Sequence, residues 1–428
     1  MQNDRDNSSL TLVTLATLVM GSDYALGLLF PNWGLVLSLN RVVFGGLLVL
    51  DYLNHPAKYR VGGPICVVCF FILLTCIPFL VCVEVDVSGP LDSFKEAVGL
   101  LGTFGYMLFF YVNCRSTRVA SRICVVLFFC SVLMTVYLLG IVLGITGEAD
   151  MARRGAVEFT RAGGHFDPNT VVLYLISCFA FGPFLALYSN AFVGFWKGMA
   201  VLAVVCLGLY VTLQLNSRSG TIVLGAALSS SLLFRGLLAP PQIPFSRISG
   251  ICFVAVFVSI TVFLQFKYGI FDTIVSIYGE THLATDTSFA VRLCAYQYLG
   301  EEILFGAEFP SLWGTPAGYC EFWHLSGDKY NPHCTPVDVY IKGGLVFLFI
   351  YCGLLASSMV GCLRSAIYGR DATRRAVSAG LFTFLLAFIP LMITLSVESA
   401  KMPWGIIGCA LGFTAYMRRS AIAMKSGE

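Results

Sequence analysis

This chain of 428 residues is 57% hydrophobic and only 12% charged, and its formal net charge is +3. A soluble domain needs about a quarter of its residues charged to keep its surface hydrated, so the composition excludes a soluble globular protein. The small net charge gives no basis for a polyanion-binding surface, and we expect no nucleic acid partner.

The hydrophobic residues fall into runs of about 16 to 25 residues, the length that an α-helix needs to cross a hydrocarbon core of about 30 Å. Because backbone groups in lipid must be satisfied internally and these runs are too long for barrel strands, they predict helices. The first run lacks a basic flank and a cleavage site, so no cleavable signal peptide is expected. The twelve predicted spans are 9–30, 35–53, 64–84, 97–113, 122–145, 169–189, 194–214, 219–238, 248–266, 337–361, 376–397 and 402–418.

Short basic connections alternate with acidic or long connections along these spans. Most Lys and Arg residues, among them Lys58, Arg118 and Arg374, fall in connections on the side of the N-terminus. The positive-inside rule therefore predicts that this side and both termini are cytoplasmic. The other, outer face carries a segment near 147–169 and a much longer one, 267–336.

The long outer segment is expected to have a function, because loops of this length are uncommon in compact proteins. Its middle, 288–305, predicts an amphipathic helix on the outer surface, since Ser288 can cap it and apolar residues recur at helical spacing. One integral membrane domain follows, with spans one to nine in 1–266, the loop in 267–336 and spans ten to twelve in 337–428.

Most of the cysteines lie inside apolar runs and are expected to pack as small hydrophobic side chains. Cys320 and Cys334 lie in the outer loop and could form a disulfide, but Cys294 is a third candidate in the same region, so the pairing stays open. The outer loops contain no acidic pair of D-x-D type. Cys66 and Cys69 have the C-x-x-C spacing of metal ligands, but they lie in an apolar run without the His or second Cys pair that a metal site in a polar segment would need. We therefore expect neither a metal nor a cofactor.

Four arginines of the outer face could bind an anion: Arg41 inside the second span, Arg161 in the first outer loop, Arg218 between two spans, and Arg292 on the loop helix. An arginine at membrane depth is costly unless it meets an anion or reaches water, and the planar guanidinium suits bidentate contact with phosphate oxygens. Each also has a plainer interpretation. Arg41 could donate a hydrogen bond to a facing carbonyl, and Arg161 could be solvated. Arg218 could snorkel from a helix end, and Arg292 could form a surface ion pair.

His333 lies in the outer loop a few residues before the tenth span. Its imidazole titrates near neutrality and could take a proton from a hydroxyl group, although a hydrogen-bonded loop histidine is the plainer interpretation. Carboxylates are nearly absent from the middle of the spans, which argues against a proton-coupled transporter. No G-x-x-x-x-G-K-[ST] motif occurs, which argues against an ATP-driven one.

Several of these segments occur in the order of a known family. The stretch Asn-Ser-Arg-Ser-Gly at 216–220 resembles the S-R-[GS] turn between two spans of bacterial O-antigen ligases and the related O-antigen polymerases. Ser-Phe-Ala-Val-Arg at 288–292, with the helix that follows to Leu-Phe-Gly at 304–306, is similar to the family's loop helix. His333 and the glycine-containing span after it resemble the family's loop histidine, and 161–169, ending in Pro-Asn, is similar to another family stretch. Cys334 stands where the family usually has Asn or Ser.

The resemblance implies a metal-independent, GT-C-like glycosyltransferase of the bacterial inner membrane, active at the periplasmic face. It implies a glycan on undecaprenyl pyrophosphate as donor and lipid A–core as acceptor. By the same resemblance Arg218 and Arg292 would hold the pyrophosphate, with Arg41 and Arg161 as further contacts, and His333 would act on the acceptor hydroxyl. An O-antigen polymerase using the same donor stays an alternative, because the motifs are shared. A non-enzymatic flippase or transporter of a lipid-linked anion is the third.

Overall fold

A computed structural model shows a helical protein. The structure describes residues 2–29, 34–60, 90–142, 168–188, 195–214, 218–238, 334–369, 371–394 and 400–426, and no strand occurs among them. These residues form ten α-helices, and one 3-10 turn, Pro56–Tyr59, follows α2. The helices are α1 Gln2–Leu29, α2 Gly34–Asn54, α3 Pro90–Asn113, α4 Thr117–Val142, α5 Pro168–Tyr188, α6 Phe195–Gln214, α7 Arg218–Leu238, α8 Thr335–Tyr368, α9 Ala372–Thr394 and α10 Lys401–Ser426.

The predicted all-α class is confirmed, and helices occupy ten of the twelve predicted spans. The other two, 64–84 and 248–266, lie outside the described residues, as does the predicted loop helix 288–305. Among the described residues, three helical stretches are long and apolar enough to cross a membrane: Thr117–Gly140, Leu345–Tyr368 and Ala372–Ile393. Shorter apolar stretches lie in α1, α5, α6 and α7.

Helix α5 forms the centre of the bundle. Every residue from Val171 to Gly182 is buried, and α4, α6, α7 and α9 all pack against the helix. A helix that is apolar on all sides is stable only when neighbours cover it completely. The hydroxyl of Ser131 on α4 donates to the carbonyl oxygen of Tyr174 at 2.9 Å, which satisfies one of the few polar groups in this core.

Helices α3 and α10 approach each other so closely that glycine is required. A Cβ on Gly408 would collide with the carbonyl oxygen of Met107, and a Cβ on Gly412 would collide with that of Tyr111. Two glycines four residues apart lie on one face of a helix and let another backbone contact it directly, as in membrane helix pairs. This G-x-x-x-G pair therefore sets the distance between α3 and α10.

Side-chain contacts fix the direction of α8, α9 and α10. The hydroxyl of Tyr351 on α8 donates to the sulfur of Met392 on α9 at 3.2 Å, and Ser378 donates to Ser365 at 2.8 Å, so these two helices are antiparallel. The Tyr351 ring also meets that of Trp404 on α10 at 5.3 Å. Further along α8, a Cβ on Gly361 would touch Thr414, so α8 and α10 are parallel.

Helix α7 is antiparallel to α9 and therefore parallel to α8. Ser230 and Thr383 share a hydrogen bond of 2.8 Å, and the ring centroids of Phe234 and Phe382 lie 5.3 Å apart.

The same reasoning orients the first helices. Phe104 of α3 meets Trp404 near the start of α10, and Cys114, just after α3, meets Cys409, so α3 is parallel to α10. Phe44 stacks on Tyr106, and Asp51 bonds to Asn113, so α2 is parallel to α3.

The described helices thus share two ends. Helices α2, α3, α5, α7, α8 and α10 begin at one end, here called the far end, whereas α1, α4, α6 and α9 begin at the other. The N-terminus of α1 and the C-terminus of α10 both lie at this second end. We call it the basic end, because it holds Lys58, Arg60, Arg115, Arg118, Arg122, Arg364 and Arg374.

Candidate functional site

The structure describes two of the five predicted site residues. Arg218 is the first residue of α7, and Arg41 lies on α2 two turns from its start, so both belong to the far end. Arg161, Arg292 and His333 lie outside the described residues, as do Cys294 and Cys320. His333 immediately precedes Cys334, which is buried just before the first residue of α8. The predicted assembly of these side chains therefore stays a prediction.

Arg41 is exposed on the face that α2 turns toward α3. Its Nη2 atom lies 4.0 Å from the position that a Cβ would take on Gly99 of α3. Around it, a Cβ on Gly45 or on Gly102 would have no neighbour within 4 Å. In the described part of the chain, Arg41 thus borders an open surface lined by glycines rather than a packed core.

Helix α8 is longer at the far end than its neighbours. Tyr351 is level with Met392 and Ser365 with Ser378, so Thr394, the last residue of α9, is level with residue 349 of α8. At 1.5 Å per residue, the segment 335–348 therefore extends about 20 Å beyond the end of α9. The predicted span 337–361 is thus part of a helix of 34 residues, Thr335–Tyr368, that is longer than a bilayer core requires.

This extension separates the start of α8 from the start of α7, where Arg218 lies. Ser230 is level with Thr383, so Arg218, at the start of α7, lies near the level at which α9 ends. The start of α8 lies some 15 to 20 Å higher along the helix axis if α8 is straight. Gly343 and Gly344 lie in this part of α8, and adjacent small residues are a common place for a helix to bend.

A buried polar cluster occupies the basic end, where α1, α2 and α3 meet. Its centre is Asp51, whose side chain is 0% exposed. The Oδ2 atom of Asp51 accepts hydrogen bonds from Asn113 Nδ2 at 2.6 Å and from the Tyr59 hydroxyl at 2.7 Å. Its Oδ1 atom faces Lys58 Nζ at 3.5 Å and His55 Nδ1 at 3.7 Å. This arrangement compensates a buried carboxylate, which would otherwise be strongly unfavourable.

Lys58 joins the cluster to α1 and α3. Its ammonium donates to Ser9 Oγ at 3.1 Å and to Asn113 Oδ1 at 3.2 Å, besides facing Asp51. Arg115 donates from Nη2 to the carbonyl oxygen of Lys58 at 2.9 Å, which holds the turn after α2 against the start of α4. The cluster therefore fixes the connection after α2 on three helices.

Tyr59 shows the electrostatic effect of this burial. Desolvation raises the pKa of its phenol well above the usual value, and the hydrogen bond to Asp51 and the charge of that carboxylate raise it further. The phenol is therefore a permanent hydrogen-bond donor to Asp51 at physiological pH. The contacts of Asp51, Lys58 and Asn113 join the turn after α2 to α1 and α3, so we interpret the cluster as structural.

Buried thiols form a second cluster near the same end. The Sγ atoms of Cys114 and Cys409 lie 3.2 Å apart. The thiols of Cys124 and Cys362 are close enough to that of Cys409 to interact with it electrostatically. Among the described residues, no three His, Cys, Asp or Glu side chains are arranged to hold a metal ion. Hydrophobic packing was expected for Cys124 and Cys409, and both are buried, as are Cys114 and Cys362. Cys352, for which the same packing was expected, is exposed.

Neither the polar cluster nor the thiol cluster was predictable from the sequence, and the reason is the same for both. Asp51 is only seven residues from Lys58, a spacing that hints at a contact, but Asn113 and Cys409 come from distant segments. No pattern of neighbouring residues predicts such contacts.

Comparisons with protein-family models, with curated proteins and with solved structures find no match to this chain.

Proposed function

We propose that the protein is a metal-independent glycosyltransferase of the O-antigen ligase type. Its donor is a glycan on undecaprenyl pyrophosphate, its acceptor is lipid A–core, and its site faces the periplasm from the inner membrane. The observation that supports this most is the separation of the two ends. Arg41 and Arg218 belong to the far end, away from the end at which the short basic connections gather.

The directions of the helices support a twelve-span, GT-C-like architecture. α2 finishes at the basic end and α3 starts at the far end, so the intervening chain has to return across the bundle. The same holds between α7 and α8. These are the two intervals that contain the predicted spans 64–84 and 248–266. With the short basic connections at one end, the positive-inside rule makes that end cytoplasmic and the far end periplasmic.

In the proposed reaction an acceptor hydroxyl attacks the anomeric carbon of the donor glycan. The bond from that carbon to the pyrophosphate oxygen breaks, and undecaprenyl pyrophosphate leaves with the bonding electrons. Arg218 and Arg292, assisted by Arg161, stabilise the charge that develops on the leaving oxygen, as fixed cations do best in a site of low dielectric. His333 takes the proton of the attacking hydroxyl.

Arg41 supports a donor that is anchored in lipid. It lies about 10 Å along α2 from the first helical residue, and it borders the open, glycine-lined surface between α2 and α3. An arginine at such a depth is unfavourable unless it reaches water or an anion. A lipid diphosphate supplies that anion, while its isoprenoid chain can lie against the glycines.

The proposal makes one demand on α8. Reacting groups must approach to about 3 to 3.5 Å, so His333 and Arg218 have to contact the same sugar diphosphate. Because the start of a straight α8 would lie about 15 to 20 Å above the start of α7, the first turns of α8 must lean over Arg218. A bend at Gly343 and Gly344 permits this.

A flippase is less well supported than an enzyme. Moving an anionic headgroup through the bundle needs polar or cationic groups along the path. Among the described residues, the buried charged side chains are Asp51, Asp338 and Lys401, and each lies within one turn of a helix end. An O-antigen polymerase stays the second candidate, because it would use the same donor and the same residues.

Purified protein, undecaprenyl-pyrophosphate-linked glycan and lipid A–core provide the test, with EDTA present throughout. We expect transfer by the wild type and by Arg364→Ala, a matched change at the basic end, and at least a hundredfold loss in Arg218→Ala and Arg292→Ala. Normal transfer by either variant would remove that arginine from the mechanism. Replacing lipid A–core by a second lipid-linked repeat separates the ligase from the polymerase.

A further inference from the structure

One face of α4 carries two kinds of exposed side chain in succession. Three arginines come first, at the basic end, and three apolar residues follow, which are 51%, 71% and 56% exposed. Arg115 lies two residues before the first residue of α4, and at about 100° per residue the five helical residues fall within a sector of about 60°, so together they form one continuous strip. The residues of this α4 strip are Arg115, Arg118, Arg122, Phe129, Leu133 and Val136.

Arg118 and Arg122 lower the stability of the protein when no anion is bound to them. Arg118 and Arg122 are one turn apart, and like charges at this spacing destabilise a helix. They also lie in the first turns of α4, where the helix macrodipole repels cations. Among the described side chains no carboxylate pairs with them, because Asp51 is buried and faces Lys58 instead.

Other charges at this end do not remove the excess. The first turns of α1 bring Asp4 and Asp6 to the basic end, together with Arg5. With Lys58, Arg60 and the three arginines of the α4 strip, positive residues still outnumber acidic ones. A bound anion would offset both the repulsion between the arginines and the effect of the dipole.

The apolar half of the α4 strip identifies the kind of anion. Phe129 lies about 10 Å and Leu133 about 16 Å beyond Arg122 along the helix axis, which matches the depth of one leaflet of about 15 Å. A free phosphate ion would contact only the arginines. A phospholipid would contact the arginines with its headgroup and the apolar residues with an acyl chain.

We propose that the α4 strip is a binding site for an anionic phospholipid, with the headgroup phosphate at Arg115, Arg118 and Arg122. This proposal does not depend on the proposed transferase activity. The site lies at the end opposite to Arg218, and it would serve to hold α4 and the turn after α2 at the membrane surface. Arg115 links the two, because its guanidinium also bonds to the carbonyl oxygen of Lys58.

Native mass spectrometry of the purified full-length protein, titrated with phosphatidylglycerol or phosphatidylcholine, tests the proposal. We expect tighter retention of phosphatidylglycerol by the wild type. Arg122→Gln should weaken it about fivefold, since a basic residue near an anionic surface contributes about 1 kcal/mol. The matched control Arg364→Gln removes the same charge from an exposed position at the same end and should change it less than twofold.

Two further arms separate the explanations. Arg118→Lys/Arg122→Lys keeps both charges and should retain most of the binding, which excludes misfolding as the cause of a loss. Leu133→Ser should weaken retention of the lipid but not of inorganic phosphate. Equal retention of both lipids, equal effects of Arg122→Gln and Arg364→Gln, or full displacement of the lipid by inorganic phosphate would each overturn the proposal, the last in favour of a free-anion site.

Discussion

Replacing Lys58 by methionine should destabilise the protein, because the buried carboxylate of Asp51 would lose the ammonium group that faces it. Asp51 is completely buried, and its Oδ1 atom faces Lys58 Nζ at 3.5 Å. At an effective dielectric constant of about 20, that attraction is about 5 kcal/mol before the desolvation of the ammonium is subtracted. Lys58 is 24% exposed, so water screens the pair in part, and Oδ2 keeps its bonds from Asn113 and Tyr59. We therefore expect a net loss of about 2–3 kcal/mol, slightly below the usual range for a broken buried pair.

A double-mutant cycle separates this effect from lost packing. Asp51→Asn removes the charge and keeps the shape, so Asp51→Asn/Lys58→Met should be more stable than Lys58→Met alone, by about 1 kcal/mol or more. The free energy of unfolding can be measured in mixed micelles with increasing denaturing detergent. If Lys58→Met unfolds within about 0.5 kcal/mol of the wild type, or if the second substitution adds to the loss, the account of the cluster is wrong.

Three other predictions concern packing, pH and topology. Gly412→Ala should destabilise the protein by about 1–3 kcal/mol because its Cβ would collide with the Tyr111 carbonyl oxygen. The control Gly353→Ala, whose Cβ would have no atom within 4 Å, should be neutral or stabilising. Equal Tm values for the two variants would contradict the close approach of α3 and α10. Because the pKa of Tyr59 is raised in the folded protein, the phenol ionises first in the unfolded chain, near its usual pKa of about 10. The stability of the protein should therefore fall as pH rises above about 10, and the fall should be smaller in Tyr59→Phe. Identical pH profiles of Tm for the two proteins would argue against a buried phenol. A reporter fused after Tyr368 should read cytoplasmic and one fused after Gly306 periplasmic, and the reverse result would defeat the assignment of the far end to the periplasm.

The helices were predictable because the length of an apolar run sets both the existence and the approximate limits of a membrane helix. The predicted span 219–238 corresponds to Arg218–Leu238, for example. The prediction ended two helices too early: α10 runs to Ser426 rather than to 418, and α8 runs to Tyr368 rather than to 361. The charged Arg364 interrupts the apolar run near the end of α8, but Leu363, Arg364 and Ala366 are good helix formers, so the helix continues beyond it.

Contacts between distant segments were not predictable from one sequence. Ser230 and Thr383 share a hydrogen bond across 153 positions, and each resembles any other hydroxyl in an apolar run. The α4 strip, in contrast, is encoded locally by spacings of three, four and seven residues, but its exposure becomes known only once the neighbours of α4 are in place. For the candidate site, the sequence led to Arg41 and Arg218 at one end of the bundle, and the extension of α8 adds a constraint that no residue pattern suggests.

The most direct test is the distance between the His333 imidazole and the Arg218 guanidinium in a cryo-electron-microscopy structure with bound undecaprenyl pyrophosphate. If both groups serve one sugar diphosphate, they should lie within about 10 Å of each other, with α8 bent at Gly343 and Gly344 and the diphosphate in contact with Arg218. A straight α8 that holds His333 about 15 to 20 Å above Arg218, with the diphosphate touching neither, would contradict the proposed enzyme.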